Sequence, residues 1–458
     1  MIVVILFFIL GSSFAKPLSQ EYEGKNLYFS ALNEFFYETY NKPVANSSLE
    51  RLEKVLFFTG IELLEDYDIG LLEKYPTSSI HFILARRYFK NKEYKKSQEH
   101  LNQVKLDHRY FPESQLLKGQ IHGTLGQYES ESEAYFSCQK TAERDENKTV
   151  NEKIKRYYRM IYEICLINKA RRLFKQGLYK ESIDAYDQVP KKSYKWPYIL
   201  LEKAWAYYHL GDYNRSLGLL ITYKSPLLDT YFFPEAEYLA ALNYLKLCLY
   251  DDSLTIINQY YQFYRPRFNQ LEKFLSENLK SQDYFYNLMF KHELESKEIQ
   301  DFAFKIVTRL KKQTRFSLDF NTIHKINKEI ELIHKTEDQV MKKRLLPHLN
   351  LVKENIISKI NYNAKEDIFN FLESVPFFSS QLFKIQLETL SKKKDLIYTG
   401  QTLVSDRSRG DYENVKRSRF EYFWKFEGAF WADELGDYSL GLKSNCELNK
   451  NENQESSK

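Results

Sequence analysis

Apolar residues along most of this chain recur every three to four positions, the spacing that places them on one face of a helix. Leu201 to Leu220, LEKAWAYYHLGDYNRSLGLL, reads as one apolar helix interrupted by Gly-Asp-Tyr. The interruption repeats as Gly126-Gln127-Tyr128, Gly177-Leu178-Tyr179 and Gly211-Asp212-Tyr213, with Lys92-Glu93-Tyr94 as a copy lacking the glycine. Tyr94 to Tyr128 is a step of 34 residues, and so is Tyr179 to Tyr213. Tyr128 to Tyr179 is 51, one period plus a 17-residue insertion around RDENKTVNEKIK, and Tyr250 follows Tyr213 by 37. Seven residues before each glycine or its equivalent stands a small residue: Ala85, Gly119, Ala170, Ala204 and Ala241. Three residues after each tyrosine stand Ser97, Glu131, Ser182, Ser216 and Ser253. Two helices approach closely only where side chains are small. Glycine therefore ends a first helix, the aromatic residue opens a second, and each unit is expected to be an antiparallel helical hairpin.

A fixed 34-residue period with these residue types resembles the tetratricopeptide repeat. Five repeats are legible, at 78–111, 112–145, 163–196, 197–230 and 234–267, and a degenerate hairpin, Ser48 to Tyr75, precedes them. The chain departs from the family's pattern where Ser or Glu replaces Ala early in the second helix, and where Pro112, Pro190 and Pro226 close the second helix only irregularly. The resemblance implies an all-α solenoid at 78–267 whose hairpins stack into a superhelix, with the first helix of each hairpin lining a concave wall. Projected at the helical period, Phe82, Arg86, Phe89, Gln120, Arg171, Phe174, Lys175, Leu201, Trp205, Tyr208 and His209 face inward. Aromatic and cationic residues together suit a protein or peptide partner, extended or helical, with apolar anchors and some acidic groups. Family members that clamp a terminal carboxylate use Lys and Asn on the first helix; Phe82 and Arg86 stand there instead, so that specificity does not carry over.

From about Leu271 the period is lost, although Phe302, Ile306 and Leu310, and Ile326, Ile330 and Ile333, keep helical spacing. Residues 268–400 are expected to form an irregular helical C-terminal region. Arg419 to Glu447, RFEYFWKFEGAFWADELGDYSLGLKSNCE, crowds aromatics with acids. It resembles the closing segment of exported tetratricopeptide proteins of predatory and gliding delta-proteobacteria and their relatives. As a cap over the last helices, 401–446, it should pack Trp424 and Trp431 down on them, with Gly428 between, ahead of a disordered tail at 447–458.

Composition agrees with the helical reading: Gly (15) and Pro (11) are scarce, while Tyr (36) and Phe (33) suit helices that bury large rings. A net charge of +5 with short basic clusters argues against nucleic acid as partner. Met1 to Ala15 has an apolar run from Ile2 to Leu10 and then small residues, the grammar of a signal peptide cleaved after Ala15, which leaves 16–77 as N-terminal helices. No later segment is apolar enough to span a bilayer. A periplasmic or secreted protein is expected, without a transmembrane helix once mature and free to associate peripherally with the envelope. Cys138, Cys165, Cys248 and Cys446 allow three pairings; they lack metal-type spacing, and Cys248 is expected to be free and buried. No nucleotide, metal or nucleophile motif occurs, and the nine histidines are dispersed. The expectation is a non-enzymatic scaffold or adaptor holding a partner in its concave groove, in an envelope assembly or surface machine, with no cofactor or metal. The alternative is an envelope-remodelling enzyme whose carboxylates, Glu427 and Asp433, work as a pair.

Overall fold

Short turns of one recurring geometry divide the middle of the chain into helix pairs. The computed structural model describes residues 17–290, 302–398 and 430–446. Among these the fold is all-α, with 18 α-helices and no strand. Helices α1 (Leu18–Gly24), α2 (Tyr28–Thr39), α3 (Asn46–Thr59) and α4 (Ile69–Leu72) lead. Five pairs follow: α5 (Ser78–Lys90) with α6 (Tyr94–Leu101), α7 (Phe111–Thr124) with α8 (Tyr128–Lys148), α9 (Glu152–Lys175) with α10 (Tyr179–Asp187), α11 (Trp196–His209) with α12 (Tyr213–Ile221), and α13 (Pro234–Lys246) with α14 (Tyr250–Asn278). Then come α15 (Tyr284–Phe290), α16 (Phe302–Lys311), α17 (Thr314–Lys335) and the 60-residue α18 (Gln339–Tyr398). The chain forms two units, one of residues up to Ser114 with Leu318–Ile356, the other of Gln115–Ser317 with Ile357 onward.

The first helix of each pair ends in the same way. Gly126, Gly177 and Gly211 adopt φ of 72°, 77° and 77°, and Lys92 and Cys248 hold the same left-handed region at 64° and 54°. The next amide then bonds back five residues, from Glu93 to Tyr88, Gln127 to His122, Leu178 to Leu173, Asp212 to Tyr207 and Leu249 to Tyr244, at 2.9 to 3.0 Å. This is the Schellman arrangement, which satisfies carbonyls that a helix end leaves without partners. Across four of the five turns a buried hydroxyl latches the two helices together. Ser97, Ser182, Ser216 and Ser253 donate to the carbonyls of Ala85, Ala170, Ala204 and Ala241 at 2.8, 2.8, 2.9 and 3.1 Å. A bond to a carbonyl twelve residues earlier requires the chain to have reversed. It also explains why Ser stands in the early position of the second helix: the hydroxyl uses the approach that an alanine opposite permits.

The second pair differs. The Tyr135 ring lies where a side chain on Gly119 would be, and the Glu131 carboxylate lies where one on Gly123 would be. Burial pushes the Glu131 carboxyl up, opposed by Arg172, Lys175 and His122. The insertion after this pair lengthens α8 and α9. Asn151 caps α9 by accepting from the amides of Lys153 and Ile154 at 3.0 and 3.4 Å, and a buried disulfide joins Cys138 to Cys165.

Two expectations are corrected here. Cys248 is not free: it occupies the left-handed position that ends α13 and is disulfide-bonded to Cys446, with Cα atoms 5.3 Å apart. Reading it as a helix-interior residue missed that its turn presents it to the terminal segment. That segment does not pack Trp431 against the helices; Trp431 is 63% exposed. Residues 430–444 are irregular and attach through backbone instead. Asn214 takes part in three bonds: its carbonyl and Oδ1 accept from Leu440 and Leu442, and its Nδ2 donates to Leu442. Gly436, at φ 84°, lies against the Trp196 ring, and the Tyr438 carbonyl fills the space beside Gly218. Trp424, Glu427 and Gly428, the leader Met1 to Ala15 and the tail 447–458 lie outside the described residues.

Side chains far along the chain cap early helices within each unit. In the first, Glu329 of α17 accepts from the amides of Phe29 and Ser30 and from the Ser30 hydroxyl, at 3.0, 2.8 and 2.6 Å, closing the start of α2. In the second, Asn361 of α18 accepts from the amides of Phe285 and Tyr286 at 2.8 and 3.4 Å. The same stretch of α18 accepts from the Tyr260 hydroxyl at Val375 and pairs Lys393 with Asp251, both at 2.6 Å, docking it along α14.

Candidate functional site

The inward-projected residues fall in both units. In the first, Phe82 is buried and stacks on Tyr110 at 5.2 Å between centroids. Arg86 donates to Glu65 at 2.7 Å, and Phe89 tilts against Tyr94 at 5.8 Å. Gln120, in the second unit, is half-buried and accepts the Thr124 hydroxyl at its backbone carbonyl.

Arg171, Phe174, Lys175, Trp205, Tyr208 and His209 come together in the second unit, on the C-terminal halves of α9 and α11. His209 stacks on Tyr179 at 4.8 Å, and Phe174 meets both edge-on at 5.2 and 5.5 Å. Trp205 contacts Tyr208, His209 and Tyr238 at 5.6 to 6.2 Å, and Tyr238 contacts Phe378 of α18 at 5.7 Å. These rings form one continuous ladder along successive hairpins. Leu201 is buried.

Carboxylates fix the ladder's polar edge. Glu202 accepts two bonds from Arg171, at 2.6 and 2.8 Å, and one from the Tyr186 hydroxyl at 2.5 Å. Burial, and then Glu202, push the Tyr186 phenol up, so it remains a donor. The hydrogen bond to Glu202 pushes the Arg171 guanidinium up, and about half of that side chain is exposed. Glu235 accepts the Trp205 indole N–H at 2.8 Å, which sets the ring's orientation. Lys175 Nζ donates to the Gly123 carbonyl at 3.3 Å and lies 5.9 Å from the Tyr128 ring.

Tyr179, Glu202, Glu235, Tyr238 and Phe378 were not singled out from the sequence. Two of them had a signal there: Tyr179 is the repeat's own tyrosine, and Tyr238 stands one 37-residue step after Leu201. Glu202, Glu235 and Phe378 act through contacts between hairpins or with α18, which no local period encodes.

Among the described residues no group of three or more His, Cys, Asp or Glu is placed to hold a metal ion, and no helix is long and apolar enough to cross a membrane. Asp433 and Asp437 are engaged by Lys191, which donates to the Asp433 carbonyl and, at 2.5 Å, to the Asp437 carboxylate. No protein-family model and no curated protein matches the chain.

Proposed function

We propose that this chain is an exported tetratricopeptide-type solenoid that works as a non-enzymatic scaffold, holding a protein or peptide partner along the ladder from Phe174 to Tyr238. One observation carries the reading: the Schellman turn recurs five times and the Ser-to-Ala latch four, at the positions that the Gly-x-Tyr repeat marks, so that within the second unit successive hairpins carry equivalent residues at equivalent places. The half-exposed Arg171 beside rigid rings suits an apolar anchor flanked by an acid on the partner. Two disulfides support an oxidising compartment, in keeping with cleavage after Ala15.

The test is co-purification from envelope extracts with wild type and with Trp205→Ala combined with Arg171→Glu. A stoichiometric protein should accompany the wild type and be lost from the variant at unchanged helical content. Equal recovery with both would reject the ladder as the binding face. An intact Met1 to Ala15 on cytosolic protein would reject export.

A further inference from the structure

A cavity of about 340 Å³ in the second unit is lined by four cations: Lys195, Arg309, Lys312 and Arg315. They come from three places in the chain that fold together: the residue ahead of α11, the end of α16 with the turn after it, and the first turn of α17. Among the described residues one carboxylate is paired with them, Asp367 with Arg315, and the Glu202 carboxylate acts on Lys195 from nearby. Arg309 Nη1 donates to the Phe232 carbonyl at a long 3.5 Å. Like charges gathered around a void repel one another, and an anion among them would relieve that repulsion. Burial, followed by the Arg171 guanidinium, pushes the Lys195 ammonium down, the direction that an anion in the cavity would reverse. The helices α11 and α17 both begin at this cavity, so their first-turn amides add to its positive potential.

We propose that this cavity binds a tetrahedral dianion, a phosphoryl or sulfuryl group, carried on an organic moiety that packs among Tyr194, Tyr198 and Tyr231. The three tyrosines line the same cavity, and Lys195 Nζ lies 5.0 and 5.8 Å from the rings of Tyr194 and Tyr198. Arginine forks match the paired oxygens of such a group, and the volume is that of a small-ligand site. The proposal does not depend on the repeat face and stands if that reading fails.

Isothermal titration of the full chain with inorganic phosphate, and separately with sulfate, tests it against acetate and chloride at matched ionic strength. Saturable one-to-one binding is expected, at least about tenfold weaker in Arg309→Gln with Lys312→Gln. Lys203→Gln, which removes a partner of Asp187 outside the cavity, should bind as wild type does. If the double variant loses helical content, Lys312→Gln alone, at an exposed position, should still weaken binding about threefold. Tighter binding of phenyl phosphate than of phosphate would identify a small organic ester as carrier, whereas co-sedimentation with phosphatidic acid vesicles, competed by phosphate, would identify a lipid headgroup. Absence of saturable binding, equal binding of acetate, or affinity retained in the double variant would overturn the proposal.

Discussion

Ser216 donates to the Ala204 carbonyl and accepts from Asn243 Nδ2, both at 2.9 Å, while Ser182, among the described residues, makes the first kind of bond alone. Removing the two hydroxyls therefore has different consequences. Ser182→Ala should cost about 1 kcal/mol, the net worth of one hydrogen bond, and Ser216→Ala about 2, because it takes a partner from the buried Asn243 amide. Urea titration followed by circular dichroism measures both; equal effects would show that Asn243 is not coupled to the latch. The sequence marked this position as mostly small, but it did not reveal that the small residue is a donor. Titration supplies a second residue-scale consequence, in the first unit. His81 Nδ1 lies 3.0 Å from His100 Nδ1, and burial followed by His100 pushes His81 down to about 4. Burial raises the Glu53 carboxyl, but hydrogen bonds from His108 and Ser79 overcome it and hold Glu53 at about 2. Both folded values lie below the ordinary ones, so the unfolded chain takes up more protons and stability falls with pH: for His81 between 6.5 and about 4, for Glu53 between 4.5 and about 2. His81→Gln should flatten the upper window in a series of melting temperatures against pH. A wild-type melting temperature that stays constant down to pH 4 would contradict the assignment.

At the scale of elements, helix ends are closed in two ways, and only one was legible in the sequence. The Gly-x-Tyr turns are written in adjacent residues, and so is their period. The cap on α2 comes from Glu329, 300 residues beyond Phe29, and nothing in either stretch announces the other. Glu329→Leu should destabilise the first unit by about 2 kcal/mol, by leaving two amides and a hydroxyl unmet, while Glu329→Gln, which keeps an acceptor, should cost less than about 1. Thermal denaturation of both variants checks this; equal costs would mean that the carboxylate's charge, not its geometry, matters. The terminal segment is the converse case, in which Trp431 was expected to be packed and is exposed. Trp424 and Trp431 stand seven residues apart, which suggests one side of a helix, yet the described part of the segment is held by Asn214, by backbone packed against Gly218, and by the disulfide to Cys248. From 430 onward the irregular chain finds its hydrogen-bond partners on a neighbouring element, and aromatic spacing does not reveal that.

For the molecule as a whole, the all-α class follows from the helical period and the scarcity of glycine and proline. The interleaving of the units, with Leu318–Ile356 joining the N-terminal helices, was not legible, because chain return is a long-range event. The candidate face was readable in part. Phe174, Trp205, Tyr208 and His209 could be placed by projection along α9 and α11, whereas Glu202, on α11 itself, acts by reaching Arg171 of α9, and Glu235 and Phe378 are supplied by neighbouring elements and orient or extend the ladder. The central claim, that a partner lies along this ladder, is tested most directly by site-specific photocrosslinking in the native host. A benzoylphenylalanine at position 209 should give one discrete heavier adduct that disappears with Trp205→Ala and Arg171→Glu. The same probe in place of Val150, 94% exposed in the inserted stretch, should give none. An adduct from position 150 but not from 209, or one from 209 that persists in the double variant, would contradict the account.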